Sequence, residues 1–350
     1  MIKKILIRFP NWVGDVVMAT PVLETLHKAY SDAEIYALVR PYAQDVLKGN
    51  PWITKIIPCN DHSLKGWKEL RHTLKTIKPD LAIVLTNSFQ SVLSLRLAGV
   101  KNIYGYKRDG RSLFLTGGPK PRRGEKKYIP IPMVEYYLEI CRFLSIPIPE
   151  TIKPTLFMTE EAKEKGDLFL QQNGINPNDL VIGINPGAKF GASKCWPPEY
   201  FAQLADQLYQ KYPTSKLLLF TGPGEEPLAN YIQEHSNAPL INTINKNTNL
   251  DILKRLVQRC NLLVTNDTGT RHYAVALDVP LVVMFGPTDQ RYTNNNLEKT
   301  IILDQHVDCA PCHLKKCPTD QKCMKLITPN MVFNACTQQI NVLRKELQNK

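Results

Sequence analysis

Residues 262–289, LLVTNDTGTRHYAVALDVPLVVMFGPTD, decide the fold. An apolar run (Leu262, Leu263, Val264) ends in the loop Asn266, Asp267, Thr268, Gly269, Thr270, Arg271, His272. A helical stretch follows over 273–277, and a second apolar run, 281–285, closes on Gly286-Pro287-Thr288-Asp289. Strand, small-residue loop, helix start and strand make one α/β unit. Its loop sets unpaired backbone N–H groups and hydroxyls at the positive end of a helix, which suits a phosphate.

The same grammar extends outward. Residues 2–9 read as a buried strand, 16–30 as a helix, 34–39 as a second strand, 64–77 as a helix and 80–86 as a central strand. In the second half, 181–185, 216–221, 262–265 and 281–285 read as strands, with helices over 198–212 and 250–260 between them. Strands alternating with helices imply a mostly parallel sheet. The Pro-rich stretch Ile146-Pro147-Ile148-Pro149, with Pro154 after it, reads as a linker. Two α/β domains are expected, with ligands at the carboxyl ends of the strands in a cleft between them.

A chain of 350 residues, 43% apolar and 22% charged, fits two soluble globular domains. No apolar run is long enough to span a bilayer, and Arg8 and Pro10 cut short the basic N-terminal start, so a cytoplasmic protein without a signal peptide is expected. Net charge is +12, of which residues 1–150 carry +10. The densest basic part is KRDGR at 107–111, followed by Lys120, Arg122, Arg123, Lys126 and Lys127. Such a patch attracts a polyanion. It lacks interleaved stacking aromatics and any common RNA-binding motif, so nucleic acid is disfavoured.

Unusual residues fall just after strands. In PNWVGDVVMATP, residues 10–21, Gly14 permits a tight turn and Asp15 falls at a helix start, either as a cap or as a carboxylate aimed into the cleft. In NPGAKFGASKCWP, residues 185–197, Lys194 offers a point charge to a phosphate or is a surface lysine beside a packed Trp196. TGPGEE, residues 221–226, carries Glu225 and Glu226, suited to ribose hydroxyls or to helix capping. Neither GxGxxG nor GxxxxGK[ST] occurs, which disfavours a nicotinamide dehydrogenase or an NTPase.

The stretches 10–21, 185–197 and 266–289, in this order, resemble those of the bacterial ADP-heptose:lipopolysaccharide heptosyltransferases, glycosyltransferase family 9, and among them the heptosyltransferase II branch. The resemblance implies a GT-B architecture: two Rossmann-like domains facing a central cleft, with the acceptor on the first and the nucleotide sugar on the second. The corresponding boundaries are 1–158 and 159–327, with 328–350 as a C-terminal helix packing back on the first domain. The implied reaction is inverting, with ADP-heptose as co-substrate, no cofactor and no catalytic metal. Its acceptor is a lipopolysaccharide inner-core or lipid A precursor, met at the cytoplasmic face of the inner membrane and its anionic surface. A transferase acting on another core or O-chain acceptor is the alternative.

Carried over by motif, Asp15 is the general base and Lys194 the phosphate-binding lysine. Asp267, Thr268, Gly269 and His272 form the donor loop, together with Asn185, Gly187 and Gly222, and the ribose carboxylate is Glu225 or Glu226. The expected acceptor residues are Asn11, Trp12, Gly14, Arg108, Arg111, Arg122 and Arg123. Two departures stand out. Cys195 replaces the family's Arg after the lysine, with either Lys189 as a compensating cation or weaker donor binding, and Thr270-Arg271 replaces Pro-Met, altering the loop shape and offering an extra phosphate contact. Of nine cysteines, Cys309, Cys312, Cys317 and Cys323 cluster within fifteen residues, spaced for a closed zinc site, for disulfides or for free thiols.

Overall fold

The computed structural model describes residues 2–61, 63–124, 128–244 and 248–348, so Lys126 and Lys127 of the basic stretch lie outside the described residues. The chain divides into two compact units, 1–157 with 291–295, and 158–290 with 296–350. The division falls just after the Pro-rich linker.

The first unit holds a parallel sheet of β1 (Lys4–Arg8), β2 (Glu34–Val39), β3 (Lys55–Pro58), β4 (Leu81–Val84) and β5 (Ile103–Gly105), in the order β3-β2-β1-β4-β5. The second holds β6 (Val181–Asn185), β7 (Lys216–Leu219), β8 (Leu240–Asn242), β9 (Leu262–Asn266), β10 (Leu281–Met284) and β11 (Thr300–Leu303), in the order β11-β10-β9-β6-β7-β8. Both follow the doubly wound pattern, in which the chain reverses direction beside the first strand of each sheet. Register puts Ile5 beside Ile35 and Leu81, and Ile182 beside Leu217 and Leu262. These central strands are buried on both faces, which is why they read as continuous apolar runs. Each fully buried Ile, Leu or Val among them stabilises the fold by about 1.5–3 kcal/mol.

The structure corrects three sequence expectations. The helix expected over 16–30 is two, Val13–Met18 and Thr20–Ala29, broken at Ala19. Pro21 has no N–H to donate to the Val17 carbonyl, and the Thr20 hydroxyl takes that acceptor instead at 2.8 Å. The strands β3, β5, β8 and β11 were not foreseen. All four are sheet edges of only three or four residues, and β3, β8 and β11 are partly exposed, so they are too short to stand out. The C-terminal helix, Pro329–Gln348, belongs to the second unit, where Val332, Cys336 and Ile340 are buried in one core with Trp196, Phe201 and Leu208. Its apolar side chains are thus buried within its own unit. Among the described residues no helix is long and apolar enough to cross a membrane.

Candidate active site

In the first unit, β1 delivers the loop 9–12 to the carboxyl edge of the sheet. The buried guanidinium of Arg8 and that of Arg40 both donate to the Asn11 side-chain oxygen, at 3.0 and 3.2 Å, and the Tyr42 hydroxyl donates to the Asn11 carbonyl. Asp61, itself buried, pairs with Arg40 at 2.8 Å and lies 4.0 Å from Arg8. Asn11 is therefore committed to holding the loop. Trp12 is the N-cap, makes no side-chain cap bond and stays 47% exposed, while Gly14 is buried in the first turn. Asp15 is accordingly not the cap. It sits in the first helical turn, half-buried, and accepts a hydrogen bond from the Tyr137 hydroxyl at 3.2 Å. Burial, and then the neighbouring Asp15 charge, push the Tyr137 pKa well above its ordinary value, so the phenol stays a donor.

The basic residues of this unit divide by burial. Arg111 has no exposed surface. It donates to the Tyr106 carbonyl at 2.8 Å, to the Thr86 carbonyl and to the Asn87 side chain at 3.2 Å, and burial lowers its pKa to about 10. This corrects the expectation that Arg111 presents charge to an acceptor: it braces the loops around Tyr106 and Thr86. Arg108, Lys120 and Arg122 do line a cavity of about 220 Å³, with Asn87, Tyr128 and Tyr136. There the Tyr106 and Tyr136 rings stack at 3.8 Å, and the Arg108 guanidinium lies 4.3 Å over Tyr128. Arg123 is exposed on the other approach to Tyr128, at 5.3 Å. A cationic rim on an aromatic floor suits an anionic sugar.

In the second unit three loops meet at the carboxyl edge. Lys194, ending the short helical turn Ala192–Lys194, donates to the Asp267 carboxylate at 2.6 Å and to the Asp267 carbonyl at 2.9 Å. Asp267 also accepts from Arg271 at 3.0 Å and from the Thr288 hydroxyl at 2.7 Å. Burial alone would raise the Asp267 carboxyl. Lys194 and Arg271, with the hydrogen bonds from Lys194 and Thr288, outweigh burial and hold it well below the usual carboxylate range. One carboxylate between two cations leaves a net positive cluster. It lies at the start of the helix Gly269–Ala276, whose N-cap Thr268 makes no side-chain cap bond.

His272 is buried in the same helix. Desolvation, then the Arg271 charge, lower its pKa to about 3, so the imidazole is neutral at neutral pH. Arg271 itself is 1% exposed and spent on Asp267 and the Phe285 ring, and Thr270 donates to the Asn185 side-chain oxygen at 2.9 Å. The extra phosphate contact expected of Thr270-Arg271 is thus replaced by an internal brace. Lys189 is exposed.

Glu225 folds back to accept the Gly222 N–H at 2.7 Å and lies so close to Gly187 that a Cβ there would meet its carboxylate at 2.0 Å. This contact separates the two carboxylates: Glu225 is the one set against the 185–187 loop, while Glu226 begins the helix Glu226–Glu234. The Asn266 side chain ties the loops together through the Trp196 N–H at 3.0 Å and the Pro186 carbonyl at 2.6 Å. Cys309, Cys312, Cys317 and Cys323 are free thiols, and among the described residues no group of three His, Cys, Asp or Glu side chains is arranged to hold a metal ion. Sequence reasoning missed Tyr137, Thr288 and Tyr136. Thr288 closed the quoted stretch without a role, whereas Tyr137 reaches Asp15 across 122 positions, which no local pattern signals.

Comparison with known proteins bears on this geometry. The profile of glycosyltransferase family 9 (heptosyltransferase) matches residues 67–323. The chain is 30% identical to lipooligosaccharide heptosyltransferase 2 of Campylobacter jejuni, over 94% of this chain and 96% of that one. It is 29% identical to lipopolysaccharide heptosyltransferase 2 of Escherichia coli, over 83% and 84%. The solved structure of ADP-heptose lps heptosyltransferase II from E. coli superposes with a TM-score of 0.79 at 27% identity, covering 98% of this chain and 99% of that one. The fold class is thus the GT-B arrangement of two Rossmann-like domains.

Proposed function

The chain belongs to glycosyltransferase family 9, the heptosyltransferases, and from that premise we propose that it transfers heptose from ADP-heptose to the inner core of a lipopolysaccharide precursor. The observation that carries this reading is the Lys194–Asp267–Arg271 cluster at a helix start, with Glu225 against Gly187 beside it. The leaving group of such a transfer is a nucleoside diphosphate, and charge grows on its β-phosphate oxygen as the sugar bond breaks. A lysine and a helix N-terminus fixed beforehand stabilise that charge without reorganisation. An ammonium has three donors; two on Lys194 go to Asp267, and the third, on the side of the Phe190 ring 5.0 Å away, is the one that would turn to the phosphate. Glu225 is placed for the ribose hydroxyls, and Asn185, Thr268 and Gly269 frame the diphosphate.

Asp15 takes the proton of the acceptor hydroxyl while that oxygen attacks C1 of the heptose. The C1–phosphate bond breaks from the opposite face, inverting the centre, and the electron pair leaves with ADP. Tyr137 orients the carboxylate. Charge balance is assigned to protein groups, so turnover is expected to persist in EDTA. Arg108, Lys120, Arg122 and Arg123 offer the acceptor's phosphates and acidic sugars a cationic cavity.

Membrane contact is supported by exposed apolar side chains of the same unit. Leu113 is 89% exposed, Leu97 55% and Phe89 43%, and Phe89 packs edge-on to Phe114. Apolar tips on a basic unit suit the anionic cytoplasmic face of the inner membrane. Replacing Leu113 and Phe89 by Asp should abolish co-sedimentation with anionic vesicles; unchanged binding would remove this surface from the reading.

The test of the function is incubation with ADP-heptose and a panel of truncated core acceptors, read by mass. A gain of one heptose on an inner-core acceptor supports the reading. A gain only on a different core or O-chain acceptor reassigns the step, and no gain on any acceptor overturns it.

A further inference from the structure

The Cys-rich segment, residues 309–323, grips two of the loops around Lys194. The Ser193 N–H donates to the Lys315 carbonyl at 3.2 Å, and the Ser193 hydroxyl donates to the Leu314 carbonyl. A Cβ on Gly191 would lie 2.3 Å from the Lys315 oxygen, so only glycine allows that approach, at a φ of +154°. On the other side, the His313 N–H donates to the Pro287 carbonyl at 2.7 Å, and a Cβ on Gly286 would meet the Met324 and Cys323 sulfurs at 2.6 and 2.9 Å. Gly286 and Pro287 lead into Thr288, which bonds Asp267. One segment therefore borders both sides of the Lys194–Asp267 pair.

Within it, Gln321 is the most committed side chain. Its amide nitrogen lies 2.9, 3.0 and 2.8 Å from the carbonyls of Ala192, Ser193 and Cys195, so its two N–H groups are shared among three acceptors. Three acceptors on one group fix which end of the amide is nitrogen. Gln321 holds this position at a φ of +58°, a left-handed conformation that is unfavourable for a residue with a side chain. The turn it grips is three residues of 3₁₀ helix, a form with poor intrinsic stability whose terminal carbonyls lack helical partners.

We propose that Gln321 is a positioning residue for donor binding: its amide fixes the turn Ala192–Lys194 so that the Lys194 ammonium meets the diphosphate. The proposal rests on Lys194 being the phosphate lysine. A purely structural brace would instead contribute stability alone, with no dependence on Lys194.

The two roles are separated by Gln321→Glu, the same shape with an acceptor facing three carbonyls, and by Gln321→Met, which removes the donor without adding charge. Full-length protein is used, with ADP affinity by calorimetry, steady-state constants for both substrates, and thermal melts as a check on folding. Either variant should weaken ADP and raise the ADP-heptose KM by about tenfold, with the acceptor KM within twofold. In a Lys194→Ala background the same change should add little, because coupled residues are non-additive. Unchanged ADP affinity in the folded Met variant, or a full tenfold loss that persists without Lys194, overturns the proposal. If Lys194→Ala alone leaves ADP affinity intact, the donor-site reading fails first and the proposal falls with it.

Discussion

Replacing Lys194 by Ala separates binding from folding in a way the structure lets one size. The ammonium sits 2.6 Å from the Asp267 carboxylate, with the side chain 12% exposed. After its removal Asp267 keeps Arg271 at 3.0 Å and Thr288 at 2.7 Å, so the carboxylate is not orphaned and the fold should lose only about 1–2 kcal/mol. Donor binding loses more. Two unit charges 4 Å apart at an effective dielectric near 20 attract by about 4 kcal/mol. Lys194 already shares its charge with Asp267, so the net worth of its bond to a phosphate falls to about 2–3 kcal/mol, the range of charge-assisted hydrogen bonds. That converts to ADP binding about 30- to 150-fold weaker. Titration calorimetry with ADP and with adenosine reads it directly: the loss should fall on ADP and spare adenosine, which has no phosphate. An ADP dissociation constant within twofold of the unaltered protein, in a variant that melts normally, would refute the reasoning.

Asp15→Ala should lower kcat by about a hundred- to ten-thousand-fold with ADP affinity unchanged, and wild-type turnover in this variant would exclude Asp15 as the base. Gly187→Ala should push the Glu225 carboxylate from its seat and weaken the donor as much as Glu225→Ala does. The double variant should be no worse than either single one, and additive losses would show that the two act separately. His272 supplies a pH dependence of stability. Its folded pKa, about 3, lies below the unfolded value of 6.5, so the unfolded chain binds the proton first and stability falls as pH drops through that window. The slope is about 1.4 kcal/mol per pH unit, and urea titrations at pH 6.5 and 5 should show it shrink in His272→Gln; an identical slope in both proteins would contradict a buried neutral imidazole.

The sequence was most legible where burial is two-sided. Residues 181–185 and 281–285 announce β6 and β10 because parallel strands covered on both faces must be apolar throughout. Edge strands escape the same reading: Leu240–Asn242 and Thr300–Leu303 are short and only partly covered, so little of their sequence marks them. Charge counting found the basic half but could not separate Arg111, whose guanidinium faces backbone carbonyls, from Arg122, which lines the cavity. That difference depends on which carbonyls the fold leaves unpaired. Motif reading located Lys194 and Asp267 without predicting that they pair. Gln321 was invisible because its partners are main-chain oxygens, which have no sequence signature.

The five residues 291–295 are counted with the first unit although the chain on both sides of them belongs to the second. Tyr292, one of them, contributes to the wall of the cationic cavity. The polypeptide thus crosses between units three times, and no single cut yields two intact halves. A fragment ending at residue 157 would keep its sheet yet lack part of that cavity's wall. Dissection by domain would therefore report a weaker acceptor grip than the whole enzyme has, and swapping the N-terminal half between relatives would need this short return stretch to travel with it.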